Sequence, residues 1–361
     1  MAPIRTLCET TLSVCLCVCL CVCVPLCVSL VKKAQQRMYF LRQLKKFNLP
    51  KTMMPSLSPS SHPPSPPGTL LAQPRTRADC SYYVPYPRNY TFIVDEAHAC
   101  RQGAASPFLV LVVPVAPANK EARDVIRQTW GNRSVVRGRL VQTVFLLGLP
   151  TGADAQQLRG KLRVESQQHR DLIQSDFQDH YRNLTIKTMM MLQWLESHCA
   201  GASYAMKVDS DVFLNVQNLV RLLLDPGTPR HKYMTGLVWW HSPVLRDPSN
   251  RFHVPRQIVA DAEYPPYPLG MGYVLSLDLP GALLRASAHV RPLYIEDVYL
   301  GMCMKHLGIA PTNPPDGSMF VVDPPVPLGP CRLATVIAVT TTSVSQMVSY
   351  WLKSQESHTD C

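Results

Sequence analysis

The apolar and polar positions of the chain change period several times beyond residue 106, and those changes predict an alternating α/β order. Pro107–Val115 (PFLVLVVPV) is a continuous apolar run, as expected of a strand buried on both faces. The next stretch, NKEARDVIRQTWG, has a helical period. Asn119 can cap it, Ala122, Val125, Ile126 and Trp130 form one face, and Gly131 can end it. Val141–Gly148 predicts a second strand, followed by a polar, helix-prone stretch to about residue 168. Asp171–Gln174 predicts a short strand. Leu184–Cys199 reads as a largely buried helix and Ser203–Val208 as a further strand, and Asn215 can cap VQNLVRLLL. Strands alternating with helices predict an α/β fold: a mostly parallel sheet covered by helices on both faces.

The first 78 residues follow another rule. Residues 11–31 carry no charge and are long enough to cross a bilayer as one helix. The expected order is a cytosolic tail (1–10), a transmembrane signal-anchor (11–31), a basic and Pro-rich stem (32–78) and a lumenal domain (79–361). The stem holds eight prolines in residues 50–74, a composition that forms extended spacers and no core. Positive charge is heavier after the apolar run than before it, which on its own favours the opposite orientation. The lumenal placement rests on the chemistry below.

Charge and cysteines sharpen this picture. The formal net charge is +11, but nine Lys/Arg and no acid lie in residues 32–77. The folded part is close to neutral, so no nucleic-acid partner is expected. Seven of the 13 cysteines fall in residues 8–27. The other six, Cys80, Cys100, Cys199, Cys303, Cys331 and Cys361, form no CxxC and have no histidines at zinc spacing, so disulfides in an oxidising lumen or buried thiols are both open. The sequons at Asn89, Asn132 and Asn183 are candidate glycosylation sites. There is no GxSxG, P-loop or HExxH, which leaves hydrolase, NTPase and zinc-protease readings without a motif.

Four stretches could carry chemistry. Lys207-Val-Asp209-Ser210-Asp211 falls where the strand 203–208 should end, and ligands of open α/β sheets bind outside the carboxyl ends of strands. Two carboxylates at i and i+2 can hold a hard divalent ion and leave positions for phosphate oxygens; a plain surface turn is the other reading. Glu296-Asp297 opens an apparent helix, either as a general base with its neighbour or as acids that complement the helix dipole. Arg123 and Arg127, four apart on one helix, could meet phosphate or simply form a solvated face. Tyr264–Tyr273 (YPPYPLGMGY) reads as a packed Pro/Tyr loop, or as aromatic faces and glycines set for a sugar.

Taken in order, Glu121–Ser134, Val144–Gly148, Glu165–Thr188, Tyr204–Phe213, Tyr264–Ser276 and Ile295–Cys303 resemble the β-1,3-galactosyltransferase branch of glycosyltransferase family 31. The resemblance covers roughly residues 80–352. It implies a GT-A type, Rossmann-like mixed sheet, a UDP-sugar donor with Mn2+ (or Mg2+), inversion at the anomeric carbon, and a single-pass type II protein of the Golgi membrane. It further implies transfer of galactose from UDP-galactose to a terminal GlcNAc, or a similar sugar, of a glycoprotein or glycolipid glycan. The alternatives are transfer of GlcNAc or GalNAc, or a catalytically inactive, membrane-tethered glycan-binding or chaperone protein. By resemblance, Asp209 and Asp211 hold the metal and Asp297 is the catalytic base. Arg127, Asp176, Lys187, Asp209 and Ser210 serve the donor, and Tyr267, Gly270, Gly272 and Glu296 lie on the acceptor side. Two positions depart from the family pattern. Pro268 stands where the family has a cysteine, so one disulfide is missing or rewired. Thr340 stands where the family has a histidine that would be a third metal ligand, which lowers metal affinity or leaves the place to water.

Overall fold

The computed structural model describes residues 82–101, 106–132 and 134–356. The anchor and stem expected over residues 1–78 lie outside the described residues. No helix among the described residues is long and apolar enough to cross a membrane.

The sheet is built around four parallel strands: β2 (Leu109–Pro114), β4 (Arg139–Leu149), β5 (Leu172–Gln178) and β6 (Tyr204–Val208), in the spatial order β5-β4-β2-β6. β1 (Phe92–Val94) adds antiparallel beside β5, and β3 (Ser134–Val136) pairs with β4. On the other side β9 (Tyr267–Ser276) runs antiparallel to β6, and β8 (Met234–Trp239) antiparallel to β9. The sheet is therefore mixed, not mostly parallel. The stretch expected to be a packed loop, from Tyr267 on, is a central strand. Its glycines hide the strand in the sequence pattern, and its Pro268 sits next to a register shift opposite Val238.

The continuous apolar run of β2 is explained by its burial on both faces. Alternation sends Val110 and Val112 to one core and Leu109, Leu111 and Val113 to the other. The first core is closed by three helices: α3 (Leu184–His198), α5 (Leu279–Ser287) and α6 (Glu296–His306). The second is closed by α1 (Lys120–Gln128), α2 (Ala155–His169), α4 (Val216–Leu224), α7 (Pro330–Thr335) and α8 (Val344–Gln355). A small sheet, β10 (Phe320–Val321), β11 (Ala338–Thr340) and β7 (Val212–Leu214), packs into the second core. The predicted caps are present: Asn119 accepts from the Ala122 N–H (3.2 Å) and Asn215 from the Asn218 N–H (3.1 Å). Cys100 and Cys199 form a disulfide and Cys331 is disulfide-bonded as well, while Cys303 on α6 is a free, buried thiol. Proline at 268 anchors no bridge to it.

Candidate active site

The order of the parallel strands reverses between β2 and β6, and the crevice at such a switch point, outside the carboxyl ends, is where ligands bind. Asp209, Ser210 and Asp211 fill the turn from β6 into β7 at that place. The small sheet braces the turn, because Thr341 donates both its backbone N–H (2.7 Å) and its hydroxyl (2.9 Å) to the carbonyl of Asp211. The Asp211 side chain faces solvent and Asp209 is 40% exposed.

Lys207, the last inward side chain of β6, organises the wall behind these aspartates. Its ammonium is 6% exposed, donates to the Gly270 carbonyl, and pairs with Asp209 Oδ1 (2.7 Å) and Glu296 Oε1 (3.2 Å). All three of its protons are used. Burial alone would lower its pKa, and the charges of Asp209 and Glu296 raise it above the ordinary lysine value. Glu296, 7% exposed at the start of α6, also accepts from the Thr188 hydroxyl (3.0 Å) and the Tyr273 hydroxyl (3.3 Å). It is a fully engaged anchor, not a free base.

Asp297 is different. Its Oδ2 accepts the Gly270 N–H (2.8 Å) and its Oδ1 the Val298 N–H (2.9 Å), which fix the carboxylate and leave lone pairs on both oxygens. Burial, with the neighbouring charge of Glu296, pushes its pKa up to about 7, against those two N–H donors and Lys207. Burial likewise moves Asp209 up to about 6, with Asp211 and Glu296 adding to the rise and Lys207 opposing it; water at its exposed face moderates the effect. Gly270 is required where it stands. A Cβ there would come within 2.8 Å of Glu296 and 3.2 Å of Asp297, so only glycine lets β9 approach both carboxylates. Gly272, one pleat on, pairs with Val208 at the end of β6.

The other expected site residues separate into two groups. Lys187 belongs to the crevice: buried on α3, it donates to the Val115 carbonyl at the end of β2 (2.9 Å) and to Asp179 (2.7 Å), and it feels the charge of Asp209. Tyr267 is buried at the start of β9 with its hydroxyl on Ser242 (2.9 Å). Arg127 does not reach the crevice. Its guanidinium is taken up by Asp171, Asp124 and Glu165 at 2.8–2.9 Å, because α1 runs back from the carboxyl end of β2 and places it beside the start of β5. Asp176 is held by the backbone N–H and hydroxyl of Thr91 (both 2.9 Å), which tie it to the β1 edge. The carboxylate that β5 does deliver is Asp179, one residue past its carboxyl end and also bound to the Gly148 N–H (2.8 Å). The rule that pointed to Asp209 would have found it. Asn89 and Asn132 are exposed, while Asn183 is half-buried with its Nδ2 on the Gln178 carbonyl (2.9 Å).

Thr340 sits at the end of β11, with its hydroxyl turned to Asp323, from whose N–H it accepts (2.7 Å) and to whose Oδ1 it donates (3.1 Å). Among the described residues no three His, Cys, Asp or Glu side chains gather closely enough to hold a metal by themselves. Two aspartates with phosphate oxygens and water are a sufficient donor set for a hard divalent ion, and the crevice carries an excess of negative charge, so Asp209 and Asp211 fit such an ion together with a diphosphate.

Strand-end aspartates opposite a fixed, high-pKa carboxylate suit a group transfer in which a phosphate-bearing group departs and a proton is taken up. Residues 121–315 match the family described as Galactosyltransferase. The chain is 34% identical over 339 residues to Beta-1,3-galactosyltransferase 2 of Homo sapiens, covering 91% of this chain and 79% of that protein. It is 39% identical over 226 residues to Beta-1,3-galactosyltransferase 1 of Mus musculus, covering 62% and 68%. A solved glycosyltransferase involved in glycosylation of the major capsid of PBCV-1 overlaps 68% of the chain with a TM-score of 0.37 and 10% identity. Residues 27–55 also match the N-terminal region of alkylated DNA repair protein alkB homolog 8. The chain belongs to the galactosyltransferase family. It is a glycosyltransferase that takes a sugar-nucleotide donor and a glycan acceptor.

Proposed function

We propose that the protein is an inverting β-1,3-galactosyltransferase that moves galactose from UDP-galactose to a terminal GlcNAc. The observation that carries this reading is the placement of Asp297, oriented by the Gly270 N–H and set across Lys207 and Glu296 from the strand-end aspartates.

In this reading the 3-hydroxyl of the acceptor attacks the anomeric carbon from the face opposite UDP. Asp297 takes the hydroxyl proton, the new C–O bond forms as the bond to the diphosphate breaks, and the electron pair leaves with UDP; one displacement inverts the configuration. Asp209 and Asp211 would hold Mn2+ or Mg2+, which when bound would neutralise the charge of the departing diphosphate. Glu296 and Lys207 act as positioning residues. They fix the Gly270 carbonyl and the first turn of α6, and so the orientation of Asp297. Lys187, in a salt bridge with Asp179 (2.7 Å), forms the polar floor of the donor crevice.

The Cys100–Cys199 disulfide and the exposed sequon asparagines Asn89 and Asn132 support a lumenal, Golgi-type setting with residues 11–31 as a type II anchor. The test is UDP release by the protein made in a secretory host, with UDP-Gal, UDP-GlcNAc or UDP-GalNAc, GlcNAc- or Gal-terminated acceptors, and Mn2+ present or removed. Mn2+-dependent release with UDP-Gal and a GlcNAc acceptor is expected. Release only with UDP-GlcNAc or UDP-GalNAc reassigns the donor, and silence from folded protein overturns the enzymatic reading.

A further inference from the structure

Asn132, the exposed asparagine of the sequon Asn132-Arg133-Ser134, itself lines a pocket of about 370 Å3. That volume is in the range of small-ligand sites. The turn that carries Asn132 is held firmly against α1. The N–H groups of Thr129 and Gly131 both donate to the Ile126 carbonyl (3.1 and 2.9 Å). A Cβ at Gly131 would lie 2.9 Å from that carbonyl, so only glycine lets the chain pass there. Two residues beyond Asn132, Ser134 enters β3 opposite Val141 of β4. Asn132 is therefore fixed from both sides.

The lining suits a neutral saccharide. Its charges cancel: Asp124 and Asp171 stand against Arg127 and Arg170, and Arg127 is bonded to both acids at 2.8–2.9 Å. Such a wall exerts little net pull on a phosphate or a carboxylate. Gln128 and His169 are exposed in the same lining. Their amide and imidazole can donate to and accept from sugar hydroxyls or an N-acetyl group. A sugar bonded to Asn132 is delivered to the pocket by its own covalent link, so one or two hydrogen bonds suffice to hold it there.

The pocket lies where a bulky sugar does no harm to the chemistry. Gln128 ends α1, Asp171 directly precedes β5, and His169 ends α2. These are the amino ends of the parallel strands, and Asp209 and Asp297 belong to the carboxyl ends. A ring seated there would touch α1, α2 and the entry to β5 together, three elements that meet in the charge cluster of Arg127.

We propose that Asn132 carries an N-linked glycan whose first GlcNAc occupies this pocket and clamps the end of α1 to the start of β5. The Asn132 Nδ2 would displace the diphosphate of a lipid-linked oligosaccharide at the anomeric carbon and lose one proton, a step performed by the secretory apparatus. The assignment rests on the lumenal setting proposed above and adds what the sugar does for the fold. The test uses the full-length protein from a secretory host that adds high-mannose glycans, with occupancy read by peptide mass spectrometry. Endoglycosidase H leaves one GlcNAc on each asparagine and should not move Tm. Ser134→Ala blocks the sequon and keeps Asn132; it should lower Tm by about 3 °C, the loss of one or two hydrogen bonds. Asn132→Gln should match it. Asn89→Gln, at an exposed sequon outside this lining, should leave Tm unchanged. Gln128→Ala combined with His169→Ala should cost a similar shift in the glycosylated protein and almost none in the S134A background. That cycle separates contact with the sugar from any effect of S134A on β3. Asn132 bare while Asn89 is glycosylated, an unchanged Tm in S134A, a Tm that falls on trimming to one GlcNAc, or a Q128A/H169A effect that persists in S134A would each overturn the assignment. If Asn89 and Asn132 are both bare, the lumenal setting falls with it.

Discussion

Two clusters of charge lie on opposite sides of the same sheet, and they are built to different rules. Beside α1, Lys120, Arg123 and Arg127 face Asp124, Glu165 and Asp171, three cations to three anions, with almost every proton of the guanidinium groups placed. Burial would raise the Glu165 pKa, and the bonds to Arg123 and Arg127 hold it below the ordinary carboxylate range instead. At the carboxyl ends of the strands, Asp209, Glu296 and Asp297 gather around Lys207, with Lys187 nearby already paired to Asp179, and Asp209 and Asp297 are pushed up. Compensated charge is a means of holding helices on a sheet. Uncompensated charge is kept because a ligand or a proton is to complete it. The comparison also shows what two arginines four apart on α1 meet once the chain folds: the acids of α1, α2 and the start of β5.

The largest effect expected from the crevice is that of Asp297→Asn. The amide keeps the shape and the helix start and removes the base, so kcat should fall by roughly 10²–10⁴-fold. UDP binding, measured by calorimetry, should stay within about threefold of wild type, about the effect of one marginal contact. Near-normal turnover would move the base elsewhere and make the high pKa of Asp297 a consequence of burial alone.

The compensated cluster should answer in the other currency. Glu165→Ala strips a buried partner from two arginines, and breaking such a pair costs about 3–5 kcal/mol. For a domain of this size that is a fall in Tm on the order of 10 °C. Arg127→Met should likewise reduce Tm and leave the KM for the sugar nucleotide unchanged. A raised donor KM at full stability would return Arg127 to the donor site.

The sequence carried much of the central sheet, one helix on each of its faces, and much of the site. β2, α1, β4, α3, β6 and the caps at Asn119 and Asn215 follow from local period and cap chemistry, which tertiary packing did not override. β9 was illegible because Pro268, Gly270 and Gly272 lower strand propensity where the fold needs backbone to pass close to carboxylates. β7, β10 and β11 are two or three residues each, too short for any period. Asp209, Asp211 and Asp297 were legible from motif order. Lys207, Asp179, Thr188 and Thr341 were not, because what defines them is contact with residues far along the chain.

A pH profile tests the uncompensated cluster with a smaller effect. Asp297 must be ionised to accept a proton, so kcat/KM should fall about tenfold per unit as pH drops below about 7. Stability moves in the opposite sense. A carboxyl whose folded pKa is raised stabilises the fold fully below its unfolded value of about 3.9, and that contribution is lost as pH rises through the folded value. Relative to D297N, wild-type Tm should therefore decline between about pH 4 and pH 7. A flat difference across that window would show that Asp297 titrates in the ordinary carboxylate range.

The smallest effect lies at the end of β11. Thr340 was expected at a third ligand position for the metal. Its hydroxyl is committed to Asp323, whose backbone is left-handed (φ 43°), a conformation that a non-glycine residue holds only with local support. The residue that steadies Asp211 is its neighbour, Thr341, through the carbonyl. Thr340→Val should therefore act as the loss of a structural hydrogen bond, about 1 kcal/mol, and lower Tm by a few degrees. The Mn2+ concentration that half-saturates activity should not move. Thr341→Val should lower Tm by a similar amount and, by contrast, also raise that concentration severalfold, since it loosens one of the two aspartates. If Thr340→Val shifts the Mn2+ dependence and Thr341→Val does not, the hydroxyl of Thr340 turns from Asp323 to the metal when substrate is bound, and the negative charge of the crevice is completed by three side chains in place of two.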